Sequence, residues 1–152
     1  MGDCNLTQVS PGVIECTKGS DPNFNSLYTI DVSNGAFTHV GPTGAPQYFM
    51  DLAFDRHGQL FGVTTTLAPS YVPAILYRIN PRTGAATKLV DLVGSSQVMG
   101  LAFGADGKLY GTDFVDVPGL YVIDMKTGLE TAIAALPFPL SSSLELVSAD
   151  DE

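Results

Sequence analysis

The sequence predicts an all-β chain assembled from repeated, four-stranded antiparallel units, and three observations predict it. The pattern L-Y-x-I-[DN]-x-x-[TN]-G begins at Leu27, Leu76 and Leu120, so its copies lie 49 and then 44 residues apart. Self-similarity at a period of about 20–50 residues marks solenoids, propellers and arrays. A second motif, Gly58-Gln59-Leu60-Phe61-Gly62, returns as Gly107-Lys108-Leu109-Tyr110-Gly111, again displaced by 49. The third observation is compositional. The 152 residues are 45% hydrophobic with 16 glycines, 10 prolines and no tryptophan, as many short strands joined by turns require.

The middle unit is the clearest. Asp51-Leu52-Ala53-Phe54-Asp55 reads as a strand, Arg56-His57-Gly58 as a turn, and 59–64 as the returning strand. A loop over 65–73 leads to Ala74-Ile75-Leu76-Tyr77-Arg78-Ile79. The turn Asn80-Pro81-Arg82-Thr83-Gly84 then feeds a fourth strand over 86–92. The next unit repeats this with strands at 100–103, 108–112, 120–124 and 130–136 and a turn at Ala105-Asp106-Gly107. The first unit is worn: sliding 5–17 onto 51–63 puts Leu6 on Leu52, Gly12 on Gly58 and Ile14 on Leu60. The chain therefore reads as a single domain, 1–152, with units at about 5–49, 50–98 and 99–137. A C-terminal orphan strand and acidic tail fill 138–152.

Sixteen acids against seven bases give a net charge of −9. That balance argues against a nucleic-acid partner, which needs Lys and Arg to neutralise phosphates. It serves solubility, with attraction of a cation or a basic partner as the minor reading. The longest apolar runs, such as Ala132-Ile133-Ala134-Ala135-Leu136, are strand-sized and too short to span a membrane. Cys4 and Cys16 are the only cysteines, and the two histidines, His39 and His57, lie too far along the chain to complete a zinc site with them. Two idle thiols or a disulfide remain. The disulfide is favoured, because a hairpin turning near Pro11 brings the two cysteines face to face and staples the weakest unit. A disulfide implies an oxidising, extracellular or periplasmic compartment, hence secretion. The start Met1-Gly2-Asp3 shows no signal peptide, which fits a mature protein or an excised fragment. Asn5-Leu6-Thr7 is a formal glycosylation sequon.

Four-stranded units of this length match propeller blades, which run at about 40–50 residues. The combined pattern L-A-F-x-x-x-G-x-L-[FY]-G and L-Y-x-I-[DN]-x-x-[TN]-G resembles bacterial secreted β-propeller repeats of the NHL, SMP-30-like and quinoprotein-like groups. The resemblance covers about 27–136 well and 5–26 poorly. It implies three blades, fewer than the roughly 4–8 of a closed propeller, so the expectation is an incomplete propeller with two apolar faces. Two copies closing a six-bladed ring rank first. A fibre of copies joined head to tail, or membership of a longer protein, are the other resolutions. The orphan strand, with Leu144, Leu146 and Val147, is placed to pair with a neighbour's exposed edge.

For function the expectation is a non-enzymatic binding or assembly module that recognises itself and a surface carbohydrate or protein. In the propeller arrangement the long loops share one face, which carries Phe24, Tyr48, Phe49, Tyr71, Asp113, Phe114 and Asp116. Aromatics beside carboxylates suit a glycan or a peptide; the competing reading has these aromatics capping the core. Asp31, Asn80 and Asp124 precede x-x-[TN]-G, so they read as turn formers. No catalytic motif, cofactor site or metal site is predicted. The alternative is a calcium-dependent lactonase or hydrolase. SMP-30-like enzymes hold a divalent ion with inward-pointing acids, and only Asp51 stands near such a position.

Overall fold

The computed structural model describes residues 25–65, 73–94, 97–113 and 119–135 in full, and 4–10 and 13–18 by backbone alone. All twelve strands pair antiparallel within their sheets, and no helix occurs among the described residues. They are β1 (Cys4–Ser10), β2 (Val13–Lys18), β3 (Ser26–Asp31), β4 (Ala36–Pro42), β5 (Tyr48–Phe54) and β6 (Leu60–Thr65). β7 (Ile75–Ile79), β8 (Ala86–Asp91), β9 (Val98–Phe103), β10 (Leu109–Asp113), β11 (Gly119–Ile123) and β12 (Glu130–Ala135) follow. Strands β5-β6-β7-β8 form one four-stranded sheet in chain order, and β9-β10-β11-β12 form another.

These two sheets pack face to face through their first strands, with β5 and β6 against β9. β6 is buried along its whole length, so a strand covered on both faces carries apolar side chains at successive positions instead of alternating ones. One face of the middle sheet sends Ala53, Phe61, Val63 and Leu76 against Val98, Leu101, Leu109 and Ile123 of the next sheet. Its other face sends Leu60, Tyr77 and Ile79 towards Ala45 and the partly buried Leu27, which belong to the preceding segment. Gly62 permits this density: a Cβ there would lie 2.7 Å from Phe49 and Leu52.

A backbone joint recurs between consecutive units. The end of each outer strand lies against the [TN]-G turn of the unit that follows. The Ala86 N–H donates to the Thr43 carbonyl at 2.9 Å, and a Cβ on Gly84 would collide with the Gly41 carbonyl. One unit later, the Glu130 N–H donates to the Val93 carbonyl at 3.2 Å, and a Cβ on Gly128 would collide with the Asp91 carbonyl. Val93 and Leu129 form a parallel bridge at this second joint. Both turn glycines also need a positive φ, +79° at Gly84 and +74° at Gly128, which side chains disfavour.

The first unit departs from expectation. It is not one four-stranded sheet: β1-β2 and β3-β4 are separate two-stranded sheets. The position aligned with Gly62 is Cys16 here, so the sequence lacks the glycine that lets the inner strands of the middle unit pack closely. The cysteines also do not stand directly opposite one another, because the register pairs Cys4 with Lys18 and Cys16 with Leu6. They are diagonal, a relation that spaces residues at about 7–8 Å. Side chains of this hairpin lie outside the described residues, as does the C-terminal segment with Leu144, Leu146 and Val147. Two strands begin earlier than expected. β5 starts at Tyr48 and passes a bulge between Phe49 and Asp51, and β9 starts at Val98.

Candidate functional site

Of the loop-face residues, Phe24, Tyr71, Phe114 and Asp116 lie outside the described residues, while Tyr48, Phe49 and Asp113 lie within them. All three are strand residues and not loop residues. Tyr48 and Phe49 open β5, and Asp113 closes β10. Phe49 meets the Tyr77 ring edge-on at 5.5 Å and packs on the core around Leu60 and Ile79. Asp113 is 2% exposed, opposite Gly119 and Val98. Its charge adds to the desolvation that raises the Tyr121 phenol above its ordinary value.

A buried polar cluster gathers at this end of the sheets. Thr64 donates its hydroxyl to Gln47 Oε1 at 2.6 Å, and Asn25 Nδ2 donates to the carbonyls of Ala45 and Gln47 at 2.8 and 2.6 Å. Thr43 Oγ1 donates to the Asn25 carbonyl at 2.6 Å. The network holds the 43–47 connection against the middle sheet and satisfies groups whose burial would otherwise carry a penalty. Asn25 takes a left-handed φ of +56° to do so.

The repeated Asp and Asn residues are turn formers, as their spacing predicted. Asp31 Oδ1 accepts from the Ser33 N–H at 2.9 Å, Asn80 Oδ1 from Arg82 at 2.9 Å, and Asp124 Oδ1 from Lys126 at 2.7 Å. The hydrogen bonds from Ser33 lower the Asp31 pKa, and the Lys126 and Thr127 amides lower that of Asp124. Asp51 has a role that its own strand does not announce. One oxygen accepts from the Leu52 N–H at 2.8 Å and the other from the Leu101 N–H in the neighbouring sheet at 2.7 Å. It clamps two sheets together. His57 sits exposed in its turn, accepting from Arg56 Nε at 3.2 Å. No group of three His, Cys, Asp or Glu side chains suited to a metal ion occurs among the described residues. Among the described residues, no helix is long and apolar enough to cross a membrane.

The most distinctive surface is the first copy of the repeated motif. Tyr77 and Ile79 of the middle copy are 5% and 0% exposed, and Ile123 of the third is 4%. The corresponding Tyr28 and Ile30 are 40% and 56% exposed, with Phe37 at 68% and Val32 at 97% beside them. Tyr28 makes a tilted contact with His39 on this face, at 5.1 Å between ring centroids. Full burial of each such side chain is worth on the order of 1.5–3 kcal/mol. An apolar face that repeats a buried one is an unmatched interface, and its exposure was invisible in the motif itself.

The fold and this surface define an all-β repeat protein with a patterned apolar face. Compared with known protein families and with curated proteins, the chain matches none.

Proposed function

We propose that the chain is a non-enzymatic structural and binding module: an incomplete three-blade propeller completed by self-association. The observation that carries this reading is the contrast between Tyr28 and Ile30, exposed, and their counterparts Tyr77 and Ile79, buried under a neighbouring unit. A second chain supplies the missing neighbour. Two chains close a six-bladed ring, or successive chains form a head-to-tail fibre in which the segment with Leu144, Leu146 and Val147 exchanges between edges. In this reading the module is secreted, to an extracellular or periplasmic space. The ends of the sheets from which the connecting segments emerge face a carbohydrate or protein ligand. The calcium-dependent alternative finds no support in Asp51, whose two oxygens already accept backbone N–H groups.

Size-exclusion chromatography with light scattering tests the proposal. A mass of twice 16.0 kDa is expected for the ring, and a larger, concentration-dependent mass for the fibre. Electron microscopy then distinguishes them. A monodisperse 16.0 kDa species at all concentrations would overturn the reading. With a net charge of −9 on each copy, association should also strengthen with added salt, because screening relieves repulsion.

A further inference from the structure

The backbone joint between units is used twice inside the chain, and the two halves of a third joint are left apart at opposite ends. The receiving half is a triad: Ile79, Gly84 and Ala86 in the middle unit, Ile123, Gly128 and Glu130 in the last. In both, the isoleucine is the pairing partner of the third residue. Ile30, Gly35 and Phe37 form the same triad in β3-β4, with Ile30 paired to Phe37. The glycine has the same backbone form, φ +74° at Gly35 against +79° and +74°. What differs is the occupant. Gly84 and Gly128 are buried against a neighbour's carbonyl, whereas no described atom lies within 4 Å of a Cβ built on Gly35.

The donating half is at the other end. In the middle sheet, Ala53, Leu76 and Phe61 face the next unit and are 9%, 0% and 7% exposed. Their counterparts in the last sheet, Ala102, Leu120 and Tyr110, are only half-buried. The outer-strand residue that meets the turn glycine in the second joint, Asp91, pairs with Ile75. The matching place in the last sheet is Ala135, paired with Gly119, and it is exposed. One chain thus carries both a free turn and a free strand end of one repeated contact.

Resting on the self-association reading, we infer that the [TN]-G joint itself is the assembly contact: the Asn34-Gly35 turn of one copy receives the end of β12 of a second copy. The Phe37 N–H stands in the place of the Ala86 and Glu130 N–H groups, which donate inside the chain to carbonyls just beyond β4 and β8. Tyr28, Ile30 and Phe37 pack against Ala102, Tyr110 and Leu120. The occupant is a second copy because the contact is the chain's own, already formed twice with the same backbone geometry. The contact is heterologous, since different surfaces meet, so it propagates or closes into a ring as the rotation dictates.

The test is complementation between two variants. Gly35→Ala obstructs the turn, and Ala102→Lys obstructs the opposite face; Gly58→Ala is the control. Gly58 has φ +75° and no atom within 4 Å of its Cβ, so it carries the same backbone strain without the contact. Circular dichroism and melting confirm that each variant folds. Alone, the Gly35→Ala and Ala102→Lys proteins should self-associate about tenfold or more weakly than wild type, because an added side chain overpacks the contact, and the control should match wild type. Mixed, the two should form a 1:1 heterodimer, since one intact turn and one intact face remain. If wild type assembles and both variants assemble equally well, the joint is not the contact, while the self-association reading stands. Heterodimer formation failing while wild type assembles also overturns the joint. A wild type that stays monomeric overturns both.

Discussion

The first and second copies of one nine-residue motif share its Leu, Tyr, Ile and Gly and have opposite surroundings. Leu76-Tyr77-Arg78-Ile79 runs down a central strand whose faces are both covered, so Leu76 and Ile79 are fully buried. Leu27-Tyr28-Thr29-Ile30 runs down a two-stranded sheet, and Ile30 is 56% exposed. The local hairpin forms in both, because strand propensity, the Asx turn and the glycine are all short-range. Burial is not short-range. It depends on whether a neighbouring unit arrives, and that is decided outside the motif. A repeat residue therefore has a fixed backbone role and a variable energetic one.

The largest expected effect separates the two copies directly. Ile79→Ala should destabilise the protein by about 2–5 kcal/mol, the range for a fully buried aliphatic side chain. Ile30→Ala, measured in the dilute monomer, should cost within about 0.5 kcal/mol, as surface substitutions do. Urea unfolding of both variants checks this. Equal losses would mean that Ile30 is covered in the monomer and that the contrast between copies is wrong.

A smaller effect sharpens the comparison at the turns. Asp31 and Asp124 have pKa values below the ordinary 3.8, held there first by bonds from Ser33 and from Lys126 respectively. A depressed folded-state pKa stabilises the fold above the unfolded value, and that contribution disappears as pH falls through the folded one. The urea midpoint should therefore fall as the solution is taken below about pH 4. The middle copy has Asn80 in the same role, accepting the Arg82 N–H without titrating. Asp31→Asn should accordingly leave stability near neutral pH almost unchanged and flatten the acid limb. An acid limb unchanged by both Asp31→Asn and Asp124→Asn would show that these turns do not carry it.

Much of the architecture was legible in the sequence because its causes are local. Gly58 and Gly107 have φ of +75° and +76°, as turn glycines before a returning strand, and the acids before x-x-[TN]-G cap their turns as expected. Features set by contacts between units were not legible. Asp51 reads as a strand acid near the place of an inward-pointing metal ligand, yet it accepts an amide from Leu101, 50 residues away in the chain. Tyr48 and Phe49 follow Pro46 and read as loop aromatics. The bulge after Phe49 extends β5 back through them, and Phe49 turns to the core. In the first unit, matching Leu6, Gly12 and Ile14 to the middle unit captured the β1-β2 hairpin, but the expected pairing of that hairpin to β3 does not occur, and β1-β2 and β3-β4 are separate sheets. Such pairing needs complementary edges, and a single-strand pattern does not encode them. The [TN]-G glycine was legible as a turn residue, while its second role, close approach of another backbone, appeared only once Gly41 and Asp91 were in place.

The central claim is that the first copy of the motif is exposed only until a second chain covers it. Amide hydrogen exchange at increasing protein concentration tests it most directly, with the middle copy as the internal reference. The amides from Tyr28 to Phe37 should gain protection as the protein assembles, the Phe37 amide most of all, while those from Tyr77 to Ala86 stay protected throughout. Exchange at Tyr28 to Phe37 that is identical in dilute and assembled protein would contradict the account.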